Sequence, residues 1–347
     1  MNRKTFIADG RVHQLKPGEI DAWLQFLAEA FAEKGPNMLK VFQKKLNNDT
    51  DFHCGDILLL EDTTGCWVST VHVSRKEMWL NGTCEKLAGI ANVATSPAHL
   101  RQGYALHVMN CALPHAEDVL GAKIAGLHCS KSQLWPFYEK CGYVHVPLQE
   151  DHVTITLPPL HHQQDHKILH CHFTNTQLDQ MAEIHKNYYN KFTGPLYRSK
   201  EYWNIVPKLV EGMCFGCVYT MGVTIEGDPH TMLAYMGIKL ISKHGENVKV
   251  EIVEYAGSHE HGCNDNKLFV PLLCHMIQGV CHYNPGDHVS IVYPSLMCNR
   301  VWFAAIATTN IETQLHYGFM YRYTGHCDSK DILKLFDKFL FLYTDRF

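Results

Sequence analysis

The sequence carries little net charge, no long apolar run and no tandem repeat, and each lack removes a class of protein. Its 347 residues hold 31 Lys and Arg against 35 Asp and Glu, a formal charge of −4, which gives no chain-wide attraction to nucleic acid or to acidic membranes. No stretch of about 18 apolar residues could span a bilayer, and the start, MNRKTFIADGRVHQLKPGEIDAW, has no apolar segment of the signal-peptide kind. The expectation is a cytoplasmic protein with no nucleic-acid and no membrane partner. No self-similarity at a period of about 20 to 50 residues points to a solenoid. At 46% hydrophobic and 19% charged residues, the composition is that of a folded chain. What is plentiful is cysteine, at 14, and histidine, at 24. In a long chain with no export signal these thiols are expected to be reduced rather than paired in a disulfide scaffold.

At about 150 residues per domain the length suggests two domains or one large one. A short strand around Val12 precedes helices at residues 18–33 and 37–46, the first with Ile20, Trp23, Leu24, Leu27 and Phe31 at helical spacing. Three strand-like runs follow, separated by Thr64-Gly65 and Asn81-Gly82, which predicts an antiparallel meander. A helix over residues 102–120, a buried strand at 122–129, a short helix at 133–140 and further strand at 143–157 complete an α+β layer. The stretch LPPLHHQQDH breaks all periodicity, so the expected division is a domain over residues 1–156, a linker over 157–166 and a second domain over 167–347. Beyond the linker come a helix capped at Thr174 or Asn175, three strands (GMCFGCVYTMGVTI, TMLAYMGIKLI, NVKVEIVEYAG), the helix NKLFVPLLCHMIQGV and a terminal helix capped by Asp328 and Ser329. Both halves run helix, antiparallel strands, then strand into helix, as diverged copies would.

The stretch with the most chemical content is residues 90–109, IANVATSPAHLRQGYALHVM, in which an apolar strand ends at Pro97 and a helix begins near Gln102. Gly103 and Ala105 in the first turn let a phosphate approach free backbone N–H groups, and the helix dipole favours its charge. Arg101 at the mouth adds a charge-assisted contact. On spacing alone, a plain helix start is an equal reading. About thirty residues on, a second strand leads into WPFYEKCGY, Trp135 to Tyr143.

Together these segments resemble motifs A and B of the GNAT superfamily of acyl-CoA-dependent N-acetyltransferases. There a strand precedes R/Q-x-x-G-x-G/A and a helix, and a second strand precedes F-Y-x-x-x-G-F/Y. Gly103 and Ala105 stand in register, and Phe137-Tyr138-Glu139-Lys140-Cys141-Gly142-Tyr143 matches in full. Leu100 departs from the pattern, although the contact at that position is made by a backbone N–H. The resemblance implies a GNAT fold, a mixed and mainly antiparallel sheet flanked by helices, with acetyl-CoA as co-substrate and no metal. It implies that the backbone of Val93, Ala94 and Thr95 pairs with the pantetheine arm. Leu100, Arg101, Gln102, Gly103, Tyr104, Ala105 and Leu106 would hold the pyrophosphate, and Tyr138 would be the general acid. A packed tyrosine beside Phe137 is the structural alternative for Tyr138. His145, Glu139 and His128 are all candidates for the base, and the sequence does not choose among them.

In the second half, HKNYYNKFTGPLYRSKEYWNIV is similar to the opening of the second GNAT-like domain in enhanced-intracellular-survival-type acetyltransferases, through Gly194, Arg198, Ser199 and Trp203. This implies a second, degenerate GNAT-like domain. It also implies a catalytic role for the terminal carboxylate, here on Phe347, because that type directs its chain end into the active site. The third, sterol-carrier-like domain of that type is missing, and fungal lysine acetyltransferases share the two-domain plan without it. The expected function is N-acetyl transfer from acetyl-CoA to a primary amine, a small molecule such as an amino acid. The alternatives are a protein or peptide lysine N-acetyltransferase and an inactive GNAT-like binding module. Cys214 and Cys217 have metal-like spacing but no second pair, which favours structural thiols, while His259, His261 and Cys263 alternate in a loop as transition-metal ligands can. Oligomeric state and acyl chain length stay open.

Overall fold

The structure, a computed structural model, describes residues 10–159, 166–169, 173–203, 218–225, 228–244, 247–258, 265–281, 284–298, 300–303, 306–324 and Leu340. The first half builds largely as its periodicity predicts. β1 (Arg11–Gln14) leads to α1 (Ile20–Ala30) and α2 (Met38–Asn47). Trp23, Leu24 and Leu27 form the buried stripe of α1, and Trp23 Nε1 donates to Thr70 Oγ1 at 3.1 Å, fixing the helix to the sheet. β2 (Ile57–Glu61), β3 (Trp67–Leu80) and β4 (Thr83–Thr95) form the expected meander. Between β3 and β4, Asn81 (φ 49°) and Gly82 (φ 88°) supply the two left-handed residues of a tight hairpin. α3 (Tyr104–Pro114) then crosses to β5 (Ile124–His128), which lies parallel to β4, and α4 (Trp135–Lys140) and β6 (Val144–His145) follow.

The second half repeats this order. After β7 (Leu148–Thr156) and β8 (His166–Leu169) come α5 (Asn175–Tyr189) and α6 (Lys200–Trp203). Thr174 caps α5 in a reciprocal box with Gln177. β9 (Val218–Ile225), β10 (Asp228–His244) and β11 (Asn247–Gly257) form a second antiparallel meander. α7 (Asp265–Cys281) then crosses to β12 (His288–Pro294), parallel to β11, and β13 (Glu312–His316) and β14 (Phe319–Tyr323) end the described strands.

The two sheets run β1-β2-β3-β4-β5-β14-β6 and β13-β7-β12-β11-β10-β9-β8. Residues 143–157, expected as further strand of the first layer, therefore divide between the sheets. β6 stays in the first, whereas β7 lies in the second between β12 and β13. In return β14 enters the first sheet between β5 and β6. The chain has thus crossed to the second sheet before the linker segment begins, and Leu157 is itself buried, its N–H donating to the Asp287 carbonyl at 2.9 Å. The exchange follows from backbone chemistry: a buried strand edge must find hydrogen-bond partners, and a strand from either half serves equally well locally.

Met78, Leu87, Ile124, Leu148, Leu196, Phe319 and Tyr321 form a buried cluster drawn from both halves. A Cβ on Gly126 of β5 would lie 2.5 Å from the Tyr321 ring, so only glycine lets β14 approach there. Residues 194–197 extend along β3: Gly194 N–H donates to the Trp79 carbonyl at 2.9 Å, Trp79 N–H to that of Pro195 at 2.9 Å and Tyr197 N–H to that of Glu77 at 2.8 Å. The next residue, Arg198, is buried and makes a two-pronged pair with Glu254 of β11 at 2.7 and 3.0 Å. Tyr235 donates to the same carboxylate at 2.5 Å, and His185 Nδ1 lies 3.3 Å away. Burial alone would raise the Glu254 pKa, but the Arg198 guanidinium and His185 outweigh it and hold the carboxyl well below its usual range. Arg198→Met keeps most of the volume and strands the Glu254 charge. It is expected to lower the unfolding free energy by about 3–5 kcal/mol, read from denaturant unfolding. A loss below about 1 kcal/mol would show that Arg198 is not the clamp.

Candidate active site

β4 and β5 are paired only from Leu87 to Gly89 against Ile124 to Gly126, and then they part. On its other edge β4 stays with β3 out to Thr95. Asn92 sits at φ 51° where the β3–β4 register slips between Thr70 and His72, a bulge that bends β4. The backbone alternation beyond the bulge separates the three residues expected to meet the pantetheine arm. Ala94 faces β3, its carbonyl accepting from the Ser69 hydroxyl at 2.8 Å. The N–H and C=O groups of Val93 and Thr95 accordingly turn toward the open edge.

At the end of β4, Ser96 N–H still donates to the Val68 carbonyl, and a short turn at Pro97–His99 leads away from the sheet. Arg101 (φ 62°) and Gly103 (φ 91°) then swing the chain into α3 through left-handed conformations, which glycine adopts without strain. The first helical hydrogen bond joins His107 N–H to the Gly103 carbonyl at 3.0 Å. Tyr104, Ala105 and Leu106 therefore present N–H groups that no intrahelical acceptor can satisfy. Leu100, Arg101, Gln102, Gly103 and Leu106 are exposed, and Tyr104 and Ala105 are half-buried. The loop is thus an accessible cradle of donors at the positive end of an 11-residue helix.

Tyr138 lies on α4, which is anchored to the end of β5 by Trp135 Nε1 donating to the Cys129 carbonyl at 2.9 Å. Its ring packs edge-on against Phe137 at 5.0 Å and Tyr143 at 6.3 Å. Val93, Tyr104 and Tyr138 all pack against the same buried cluster of β4, β5 and α3, which brings the three expected elements onto one core. Burial, with the Cys129 and Cys141 thiols adding to it, pushes the Tyr138 phenol well above its usual pKa. At pH 7 this group is a neutral proton donor. It makes no hydrogen bond within the protein among the described residues.

The three candidate bases gather around a turn from the other half of the chain. His128 stacks on His316 at 6.5 Å and packs on Phe319 at 4.6 Å. His145 lies between Trp135 at 4.6 Å and Tyr317 at 6.2 Å, with its Nε2 3.5 Å from the Glu139 carboxylate. Cys129 N–H donates to the Gly318 carbonyl at 2.7 Å, and Gly318 at φ 138° leaves no room for a Cβ, which would sit 3.0 Å from the Cys129 carbonyl oxygen. Sequence reasoning did not find His316 or Tyr317. The only local signal was the glycine that follows them. Of the second-half motif, Arg198 is buried in its pair with Glu254, Trp203 is buried edge-on against His185 at 5.3 Å, and Ser199 accepts from Tyr202 N–H at 3.3 Å. Phe347, Cys214, Cys217, His259, His261 and Cys263 lie outside the described residues. Among the described residues no group of three or more His, Cys, Asp or Glu is placed to hold a metal ion, and no helix is long and apolar enough to cross a membrane. A cavity of about 240 Å³ bounded by Arg75, Lys86, Leu87, Ala122 and Tyr197 lies toward the opposite end of β4 and contains none of the expected site residues.

A parallel pair that forks beside a glycine-started helix, with four antiparallel strands on one side, is the arrangement of the GNAT fold. The comparisons agree. The family model described as Acetyltransferase (GNAT) domain matches residues 11–146, the part of the chain from β1 to β6. A comparison with curated proteins finds no match. Among solved structures, a GCN5-related N-acetyltransferase from Anabaena variabilis is 12% identical with a TM-score of 0.63, over 92% of this chain and 74% of that one. Eis1 from Mycobacterium abscessus is 13% identical with a TM-score of 0.59, over 91% and 73%. A tandem GNAT protein from the clavulanic acid biosynthesis pathway is 12% identical with a TM-score of 0.51, over 92% and 100%. At these identities the likeness is one of fold, and it extends over both sheets.

On the face of β3 covered by α1, His72 is buried between Trp23 at 6.2 Å and Phe52 at 5.9 Å. Burial pushes its pKa down to about 4, against the opposing pull of Asp49. Between pH 6.5 and about 4 the unfolded chain therefore takes up a proton that folded His72 refuses, and stability falls as pH is lowered through that window. The full effect is on the order of 3 kcal/mol. His72→Leu is expected to show a smaller loss of unfolding free energy than the wild type between pH 7 and pH 4.5. Equal losses in the two proteins would mean that His72 titrates normally.

Proposed function

We propose that this protein is an acyl-CoA-dependent N-acetyltransferase that moves acetyl from acetyl-CoA to a primary amine, a small molecule such as an amino acid. The observation that carries the reading is the fork itself, where an unpaired edge of β4 runs into a donor-rich helix start. Acetyl-CoA supplies the acyl group already activated as a thioester. Its pyrophosphate fits the exposed N–H groups of Tyr104, Ala105 and Leu106, with Gly103 allowing close approach and Arg101 adding charge. Its pantetheine amides fit the open-edge N–H and C=O groups of Val93 and Thr95. Leu100 and Gln102 shape the loop around them.

The chemistry needs a proton removed from the amine and one supplied to the departing sulfur. As the new C–N bond forms and the C–S bond breaks, Tyr138 gives its phenolic proton to the thiolate, a role that its raised pKa suits, since the phenol holds that proton at pH 7. His128 at the end of β5, or His145 of β6 with Glu139 beside it, takes the amine proton. The turn that carries His316 and Tyr317 flanks them, so the second half contributes a wall to the site. A site walled by both halves of the chain would suit a small ligand, which favours a small amine over a protein tail.

Two measurements test this reading. Tyr138→Phe is expected to lose about 10²-fold or more in kcat while binding acetyl-CoA as before; unchanged turnover removes the general-acid role. Gly103→Glu places a side chain and a negative charge in the cradle. Calorimetric titration is expected to show acetyl-CoA binding by the wild type and none by this variant. A folded wild type that does not bind acetyl-CoA overturns the reading.

A further inference from the structure

The second sheet forks as the first does. β11 and β12 run parallel from Val248 beside Val289 to Glu251 beside Val292, and then diverge. At this point a cavity of about 220 Å³ lies on the face of the sheet. Its floor is a row of residues in register across four strands: His152 on β7 opposite Val292 on β12, then Glu251 on β11, then Lys239 on β10. Glu150 lies one row toward the fork and Lys249 one row away from it. Leu148, His316 and Phe319 form the wall where the chain passes between the sheets. Ligands favour the divergence point of parallel strands, and this volume is below the roughly 300–1,000 Å³ of drug-sized pockets, which suits a molecule of amino-acid size.

The charges narrow the class. Lys239 and Glu251 already face each other at 4.0 Å. Lys249 makes no ion pair among the described residues, and the His152 Nε2 beside it is buried without a hydrogen-bond partner. A simple anion would meet Glu150 and Glu251, and a simple cation would meet Lys239 and Lys249. Only a ligand with both charges is matched at each end.

We propose that this cavity binds a free amino acid with an apolar side chain, its carboxylate held by Lys249 and His152, its ammonium by Glu150, and its side chain against Leu148 and Phe319. The site stands on the cavity alone and holds whether or not the first sheet transfers acetyl groups. Calorimetric titration of the full chain with L-leucine tests it, beside isoamylamine, which lacks the carboxylate, and 4-methylpentanoate, which lacks the ammonium. L-Leucine is expected to bind with one-to-one saturation, and each analogue about tenfold or more weakly. Lys249→Met and Glu150→Gln, both at half-buried positions on the outer face, are each expected to weaken L-leucine binding about tenfold, with circular dichroism confirming the fold. The proposal is overturned if L-leucine does not bind at about 10 mM. It is also overturned if either analogue binds as well, or if both variants bind like the wild type.

Discussion

β5 shares five residue pairs with β14 and only three with β4, and this inequality sets the shape of the first sheet. A strand follows the neighbour with which it makes the longer ladder, so β5 stays with β14 and leaves β4 after Gly126. The edge of β4 from Ile90 onward is then open, and the cradle at the start of α3 lies at the end of that opening. Had β5 continued along β4, the N–H and C=O groups of Val93 and Thr95 would be spent on a sheet ladder. The open edge is thus a consequence of a strand supplied from far along the chain.

The same exchange binds the two halves into one structure. β7 enters the second sheet as β14 enters the first, and the cluster around Leu148, Phe319 and Tyr321 fills the space where they cross. The turn before β14 brings His316 and Tyr317 beside His128 and His145. The surroundings of the candidate bases are therefore made by tertiary contact. Residues 194–197 add a second bridge along β3, held in place through Arg198 and Glu254.

Burial has opposite outcomes at different positions, and the partner decides which. Tyr138 and His72, with no strong opposite charge beside them, are driven toward their neutral forms. Glu254 is buried as deeply as His72 yet keeps its charge, because a guanidinium faces both of its oxygens. The Tyr138 phenol thus keeps its proton at pH 7, whereas a charged carboxylate in the second core acts as a clamp.

Much of the fold was legible because its signals are local. The helical stripe of Trp23, Leu24 and Leu27, the Asn81-Gly82 hairpin, the Thr174 cap and the glycine-started helix each depend on a few neighbouring residues and on φ, ψ and periodicity alone. The run from Phe137 to Tyr143 likewise placed a tyrosine on a short helix at the end of a strand. The second half was legible as a copy of the first through the same local patterns, although β12, β13 and β14 went unread; β13 has no alternation of burial to betray it. The destination of β7 was not legible either, because its alternating residues would fit either sheet. Nor was the division of Val93 and Thr95 from Ala94, which depends on a bulge against β3. Local sequence sets which residues form strands, helices and turns. Pairing between distant strands has no local signature, so the fork, the exchange and the histidines gathered beside it were decided only when the whole chain had packed.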